Sequence, residues 1–517
     1  MPPPTDAIAR LFQRALALHR GGHLAQAEAG YRQILALDPR HADSLNFLGV
    51  AAAQSGRTEA AVELIGQAIR LRGSVADYHD NLGLALLALG RLDEAGNSHR
   101  KALRLDPNHA SAHNHFGTIL AKRGRPDEAE RHYRDALRIN PNHVEAHNNL
   151  GVALIAQERP EAAEPYLRAA LRLNSGYTDA YANLGGALRN MGRVAEAEAV
   201  YEAGLQLAPD STVLRHNLAG LLLLTGRFEA GWRWYEARQR LPGAAPARFT
   251  VPQWQGDDLS DRVLLLHAEQ GAGDAILACR YLKLFPTGTR LILEVPAALR
   301  RLLAGLGEFG QLVTHGETLP HFDLHCPLMS LPLAFGTALD GIPGTTPYIE
   351  AEPRAAEGWR QRLAELPGLR IGLVWAGNPD YADDRRRSIP ADLLAPLATL
   401  PGLSFVSLQK QPDGALPPVS LTDWTAELAD FADTAALIAG LDLVVGVDTA
   451  VIHLAGALGT PAWLLNRFDP HWLWLQDRTD SPWYPGLRQF RQDRPGDWPS
   501  VIAAVSAGLM QLIEAAP

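Results

Sequence analysis

Three short stretches carry residue types whose spacing could do chemistry. In GAGDAILACRY an acid, Asp274, follows Gly271 and Gly273 directly behind the apolar run RVLLLH. In VGVDTAVIHLAGALGTPAWLL, Asp448 and Thr449 stand where an apolar run gives way to helical spacing, with His453 one turn further on. A helix start offers unpaired N–H groups and a partial positive charge, so this spot suits phosphate or sugar hydroxyls; Asp448 reads as its N-cap and Thr449 as a second hydroxyl beside it. The alternative is a well-capped packing helix with a satisfied histidine. The third stretch, WAGNPDYADDRRRSIP, sets a glycine turn before the cationic run Arg385, Arg386 and Arg387. Asp383 and Asp384 in the same loop could take a cation, although solvation is the simpler reading of two acids in a polar loop.

A dinucleotide fingerprint competes for the first stretch, because Gly271, Gly273 and Glu294 meet part of it. Ile276 occupies the place of the third glycine, and Asp274 would face the pyrophosphate. Two such anions repel by about 4 kcal/mol at 4 Å and intermediate dielectric. An acid there makes better sense as a base facing a substrate, or as a cap for the helix at Ala275. No GxxxxGK[ST] run occurs, which excludes P-loop chemistry.

The elements that must position these residues alternate. RVLLL, LILEV, IGLVW and LSFVS read as strands; strands and helices also alternate through VTHG, FDLHCPLMSLPLAFG and YIEAEP, and a helix follows at Ala355 to Glu365. The stretch Leu441 to Leu465 reads as a strand to Val445, a turn at Gly446, a helix, Gly459 and a second strand. Strand and helix alternation of this kind means parallel sheet with covering helices, and two sets in succession mean two Rossmann-like lobes with a cleft between, here 261–353 and 354–517.

Length and charge narrow the rest. A chain of 517 residues is too long for one core, and a net charge of -9 argues against nucleic acid as partner. Two cysteines, Cys279 and Cys326, make no disulfide framework, four-ligand zinc spacing is absent, and no metal or cofactor is expected. MPPPTDAIAR lacks a signal pattern and no run of 18 apolar residues occurs, so no membrane span and a reducing, cytoplasmic setting are expected.

The first half repeats itself. Gly22, Gly56, Gly90, Gly124, Glu158, Gly192 and Gly226 follow one another at 34-residue intervals. Pro39, Gly73, Pro107, Pro141, Ser175 and Pro209 mark helix ends in the same frame, and Gly49, Gly83, Gly117, Gly151, Gly185 and Ala219 mark helix crossings. Two residues before each crossing, on the inner helix, lie Phe47, Asn81, His115, Asn149, Asn183 and Asn217. An asparagine both donates and accepts, so the row could hold an extended peptide by its main chain; inter-helix bonding is the plainer reading. The array covers about 1–241 in seven units. At its end Trp232, Trp234 and Tyr235 are expected to pack on the next domain, and 242–260, rich in Pro, Gly and Asp, reads as a linker.

The 34-residue period resembles the tetratricopeptide repeat, a superhelix of helical hairpins, and the asparagine row is similar to that of the O-linked N-acetylglucosamine transferase superhelix. GAGDAILACRY, WAGNPDYADDRRRSIP and VGVDTAVIHLAGALGTPAWLL, in that order, resemble the heptosyltransferase-like glycosyltransferases of family 9, which have the GT-B fold. That resemblance implies Asp274 as catalytic base, and a donor-phosphate segment from Gly377 to Ser388 that includes Asn378, Arg385 and Arg387. It also implies Asp448, Thr449 and His453 at the donor-binding helix start, with no divalent ion. Lysine is commoner in the family where this chain has arginines. The late run FDPHWLWLQDRTDSPWYP either packs the core or stacks on a base or sugar.

Together these features imply an inverting transferase that moves a sugar from a nucleotide sugar to a Ser/Thr hydroxyl of a protein held by Asn81, Asn149, Asn183 and Asn217, with flagellin or another surface protein as one acceptor. Two alternatives stand beside it: a peptide-binding scaffold with a degenerate transferase domain, and an enzyme acting on a lipid-linked glycan. The oligomeric state is open.

Overall fold

The computed structural model describes residues 5–244, 248–307, 309–381, 384–410 and 416–515. The chain forms two compact units, Met1–Ala208 and Pro209–Pro517. The first is an α-helical solenoid of tetratricopeptide repeats; the second contains two parallel sheets.

In the solenoid, antiparallel helices pair as hairpins, for example Ala76–Ala88 with Leu92–Leu105 and Thr178–Asn190 with Val194–Leu207. Each hairpin turn needs a left-handed residue, supplied by Gly22, Gly56, Gly90, Gly124 and Gly192, and by Glu158 at φ 60°. Helices cross so closely that a Cβ on Gly185 would sit 2.2 Å from the Tyr201 ring, and one on Gly151 2.5 Å from Leu167. Asparagines of the inner row bond the preceding repeat: the amides of Asn81, Asn149 and Asn183 donate to Asn46, Asn114 and Asn148 at 3.1, 2.9 and 2.8 Å. The row therefore ties repeats together. His115 takes the equivalent place in its repeat and faces Asp80.

The seventh hairpin, Thr212–Leu224 with Phe228–Tyr235, groups with the second unit and not with the other repeats. Its aromatic end explains why. The Trp232 indole N–H donates to the Thr337 carbonyl at 3.1 Å, and its ring meets Trp472 edge-on at 5.2 Å. Tyr235 packs on Trp472 as well, whereas Trp234 lies under the Arg215 guanidinium. The connection after it is docked too: the Trp254 N–H donates to the His325 carbonyl at 2.8 Å.

The first sheet contains β1 (Val263–His267), β2 (Arg290–Val295), β3 (Gln311–Thr314) and β4 (Leu324–Pro327) in the order β3-β2-β1-β4, all parallel. The second contains β5 (Leu369–Val374), β6 (Leu403–Ser407), β7 (Leu421–Thr422), β8 (Leu443–Val447), β9 (Ala462–Asn466) and β10 (Leu487–Arg491) in the order β10-β9-β8-β5-β6-β7, also all parallel. Every residue of β8 and β9 is buried, which is why they read as unbroken apolar runs.

Three sequence expectations need correction. The strand expected to end at Val445 continues through Gly446 to Val447, because Gly446 pairs with Val374 and a Cβ there would meet Val374 Cγ1 at 2.2 Å; the glycine makes room within the sheet and no turn occurs at it. YIEAEP is not a strand: Tyr348 crosses to the Ala450–Leu458 helix and bonds the Ala457 carbonyl. The helix expected at Ala355 to Glu365 runs Pro353–Leu363, started by Glu352, whose carboxylate accepts from the N–H groups of Arg354 and Ala355.

The last helix, Trp498–Ala515, is long and apolar enough by length and composition to cross a membrane. Its Trp498, Val501, Ile502, Val505 and Leu509 are buried in the core of the second sheet with Ile371, Leu373 and Phe405.

Candidate functional site

In open parallel sheets, ligands collect at the carboxyl ends of strands. Here the segments that follow β1, β5, β6, β8 and β9 line one cavity of about 930 Å³. It takes in Asp274, Gly377, Asn378, Arg387, Asp448, Thr449 and His453, so seven residues singled out in three separate stretches of sequence are brought together.

Asp274 lies in the first turn of the Ala272–Ala278 helix, and its Oδ2 accepts the Gly271 N–H at 3.1 Å. The helix start sits so close to the Ala450–Leu458 helix that a Cβ on Gly273 would come within 2.8 Å of His453 Cδ2 and 3.4 Å of Ala450 Cα. That glycine is what lets the acid approach the start of that helix. Burial, followed by the negative charges of Glu269 and Asp448, pushes the Asp274 carboxyl up to about 7, and the Gly271 bond only partly opposes this. Glu269 itself is anchored by the buried Arg238 guanidinium at 2.7 Å.

At the second helix start the cap assignment shifts by one residue. Thr449 occupies the N-cap position, no side chain makes the capping bond, and the expectation that Asp448 would do so is not met. β8 ends later than expected, at Val447, and the helix start moves on with it. Thr449 Oγ1 is buried and has no hydrogen-bond partner. Asp448 points its carboxylate toward His453, with Oδ1 3.8 Å from Nε2, and its carbonyl accepts from Arg387 at 3.0 Å. His453 Nδ1 is 2.9 Å from the Tyr484 hydroxyl, and burial pushes the imidazole down to about 4, so it is neutral near pH 7.

The loop after β5 distinguishes the three arginines. Arg387 Nε donates to Asp384 at 2.9 Å and its guanidinium lies 4.8 Å from the Tyr381 ring. Asp384 is also bonded by Ser388, whose hydroxyl in turn accepts the Gly377 N–H, both at 2.9 Å. A Cβ on Gly377 would fall 2.2 Å from Asp384 and 2.4 Å from Arg387 Nη2, so the glycine makes space for the arginine. Ser388 thus shapes the loop from behind. Arg386 pairs with Asp469 at 2.7 Å, and Arg385 is exposed and does not line the cavity. Asp384 is committed to Arg387 and Ser388, while Asp383 lies outside the described residues.

Several lining residues escaped the sequence reading, among them Lys410 after β6, and Asn466 and Arg467 at the end of β9. Each stands at the carboxyl end of an apolar strand or within three residues of it, a signal available once the strands are placed. The aromatic run is core: Trp472, Trp474, Trp483 and Tyr484 are all buried, and His471 alone among its aromatic side chains lines the cavity among the described residues.

Comparison with known proteins agrees with this layout in part. A tetratricopeptide repeat family model matches residues 12–76 and 54–110, and the model for the middle TPR-like domain of cilia and flagella-associated protein 70 matches 88–208. The model for glycosyltransferase family 9 (heptosyltransferase) matches 426–465, the segment holding β8, Asp448, Thr449 and His453. Protein FlbA of Caulobacter vibrioides is 28% identical over 311 residues, covering 54% of this chain. The chain spans about half of that relative, 52% of its length. Among solved structures, the Cut9–Hcn1 hetero-tetramer of the APC/C is 16% identical, covering 42% of this chain and 43% of its own, with a TM-score of 0.41. The type IV pilus biogenesis factor PilW is 21% identical, covering 42% and 100%, with a TM-score of 0.38.

Proposed function

We propose that the second unit is an inverting glycosyltransferase of the two-lobed GT-B kind, fed by a nucleotide sugar, and that the repeats recruit a protein whose Ser/Thr hydroxyl is the acceptor. The observation that carries this reading is the single cavity in which Asp274, poised near neutrality, shares the space with the orphaned Thr449 hydroxyl and Arg387. The partial family 9 match supports a transferase of this class.

In the proposed reaction the acceptor hydroxyl gives its proton to Asp274 as its oxygen attacks the anomeric carbon. The bond from that carbon to the phosphate oxygen of the nucleotide breaks, and the leaving oxygen keeps the electron pair. Thr449, the backbone N–H groups at the start of the Ala450–Leu458 helix and Arg387 meet the charge that develops there. Arg387 is pre-set for this by Asp384 and Tyr381, so little reorganisation accompanies the step. The positive field comes from the chain itself in this reading, with no divalent ion assigned a part. Asp448, beside a neutral His453, faces sugar hydroxyls.

The test uses the full-length protein with a panel of UDP-, GDP-, CMP- and ADP-sugars. Donor binding is expected to raise the melting temperature of wild type and Asp274→Asn alike and to be lost in Arg387→Ala, while sugar transfer to protein, read by intact mass, is lost in both variants. Stabilisation by no sugar nucleotide, or transfer that runs in Asp274→Asn at the wild-type rate, would defeat the proposal.

A further inference from the structure

The repeat register assigns equivalent positions in each hairpin. One is the second-helix residue that fills the notch beneath the crossing glycine: Ile65 under Gly49, Tyr133 under Gly117, Leu167 under Gly151 and Tyr201 under Gly185. The others are the two members of each rung, 35 residues apart, which are asparagine with asparagine at 46 and 81, 114 and 149, and 148 and 183. The third hairpin and its successor break both patterns at one place. The rung there is Asp80 with His115, whose Nδ1 lies 3.0 and 3.1 Å from the two carboxylate oxygens. The notch beneath Gly83 holds His99, whose Nδ1 lies 2.8 Å from Asp80 Oδ1. Three exchanges, each from amide or apolar side chain to acid or imidazole, therefore meet at a point, with ligand atoms within 4.8 Å of one another.

Hydrogen bonding alone leaves His99 unexplained. The side chain is 0% exposed and its Nε2, lodged beneath Gly83, has no partner, a cost that the tyrosine, isoleucine or leucine of a sister hairpin avoids, so what this position gains from an imidazole is the Nδ1 that faces Asp80. A carboxylate between two imidazoles is a donor set that zinc and its neighbours take, and imidazole favours them over magnesium or calcium. With bonds of about 2.0–2.2 Å, ligand atoms round a tetrahedral ion stand roughly 3.3 Å apart, a few tenths beyond the present separations of the two imidazoles from Asp80. His115 keeps 22% of its side chain exposed against 5% for Asp80, so the cluster opens on one side only.

We propose that Asp80, His99 and His115 bind a divalent transition-metal ion of the zinc type, which ties the third hairpin to the fourth and leaves one coordination position open along the asparagine row. A second group, His113, His132 and Asp135, serves as the control. His113 donates to the Pro107 carbonyl as His79 and His147 do to Gly73 and Pro141, so it belongs to the repeat pattern and needs no metal to account for it.

The experiment titrates tag-free, EDTA-stripped full-length protein with zinc chloride by calorimetry, with thermal melts in parallel. Wild type is expected to take up one equivalent and melt higher. The Asp80→Asn, His115→Asn double variant, which restores the rung found in the neighbouring repeats, is expected to bind at least ~100-fold more weakly and lose the melting shift. Circular dichroism verifies that it remains folded. His132→Ala should behave as wild type. Absence of binding in wild type, binding retained in the double variant, or binding lost in His132→Ala would each overturn the assignment.

Discussion

The solenoid and the α/β unit hold their residues in place by opposite means. In the solenoid one local rule is restated in every repeat: a left-handed turn, a glycine at the crossing, a side chain in its notch and a rung to the next repeat. In the α/β unit nothing is restated, and a single cavity is assembled from segments between Gln270 and His471. A repeated rule makes damage local and graded, whereas an assembled site places chemistry on groups that oppose the fold. Asp274 illustrates the second case. Its carboxyl is raised to about 7, so folding favours its protonated form. Relative to an unfolded carboxyl near 3.9, its stabilising contribution is complete below that value and lost as pH rises toward 7.

The largest predicted effect follows from that contrast. Asp274→Asn should lower kcat by about 10²- to 10⁴-fold and yet melt higher than wild type at pH 8, with the difference vanishing near pH 4. A variant that melts lower at pH 8 would break the comparison. In the solenoid, Gly185→Val forces a branched side chain into the Tyr201 ring and should cost about 1–3 kcal/mol in urea denaturation, with donor binding intact. Thr449→Val removes a hydroxyl that makes no bond in the free protein, so donor binding should weaken roughly 10-fold at unchanged melting temperature. The smallest effect is expected from Asn149→Ala, which removes one rung bond and should cost about 0.5–1.5 kcal/mol by denaturation.

The same contrast governs what the sequence disclosed. The solenoid was legible because its period is a direct record of local geometry: each glycine at a turn or crossing stands where a Cβ would be strained or would collide. Its asparagine row was visible but its partners were not, since a bond spanning 35 residues depends on the superhelical stacking of one hairpin on the next. In the α/β unit the apolar strands, with the glycine turn before Asp274, located Asp274 and Asp448. Side-chain direction was hidden. Arg385, Arg386 and Arg387 are adjacent in sequence, yet the first is exposed, the second pairs with Asp469 and the third turns into the cavity. The start of the Ala450–Leu458 helix was misjudged because Gly446 looks like a turn when its close neighbour Val374, 72 residues earlier, is not in view. The aromatic run after Asn466 could be either stacking surface or core by composition, and only the packing of Trp472 on Trp232 decides for core.

The most direct test of the central claim is the pH dependence of kcat/KM for sugar transfer. With Asp274 as the base, activity should fall as pH drops through an apparent pKa near 7, and this limb should be absent from the residual activity of Asp274→Asn. A limb set near 4, or the same limb in the variant, would contradict the account.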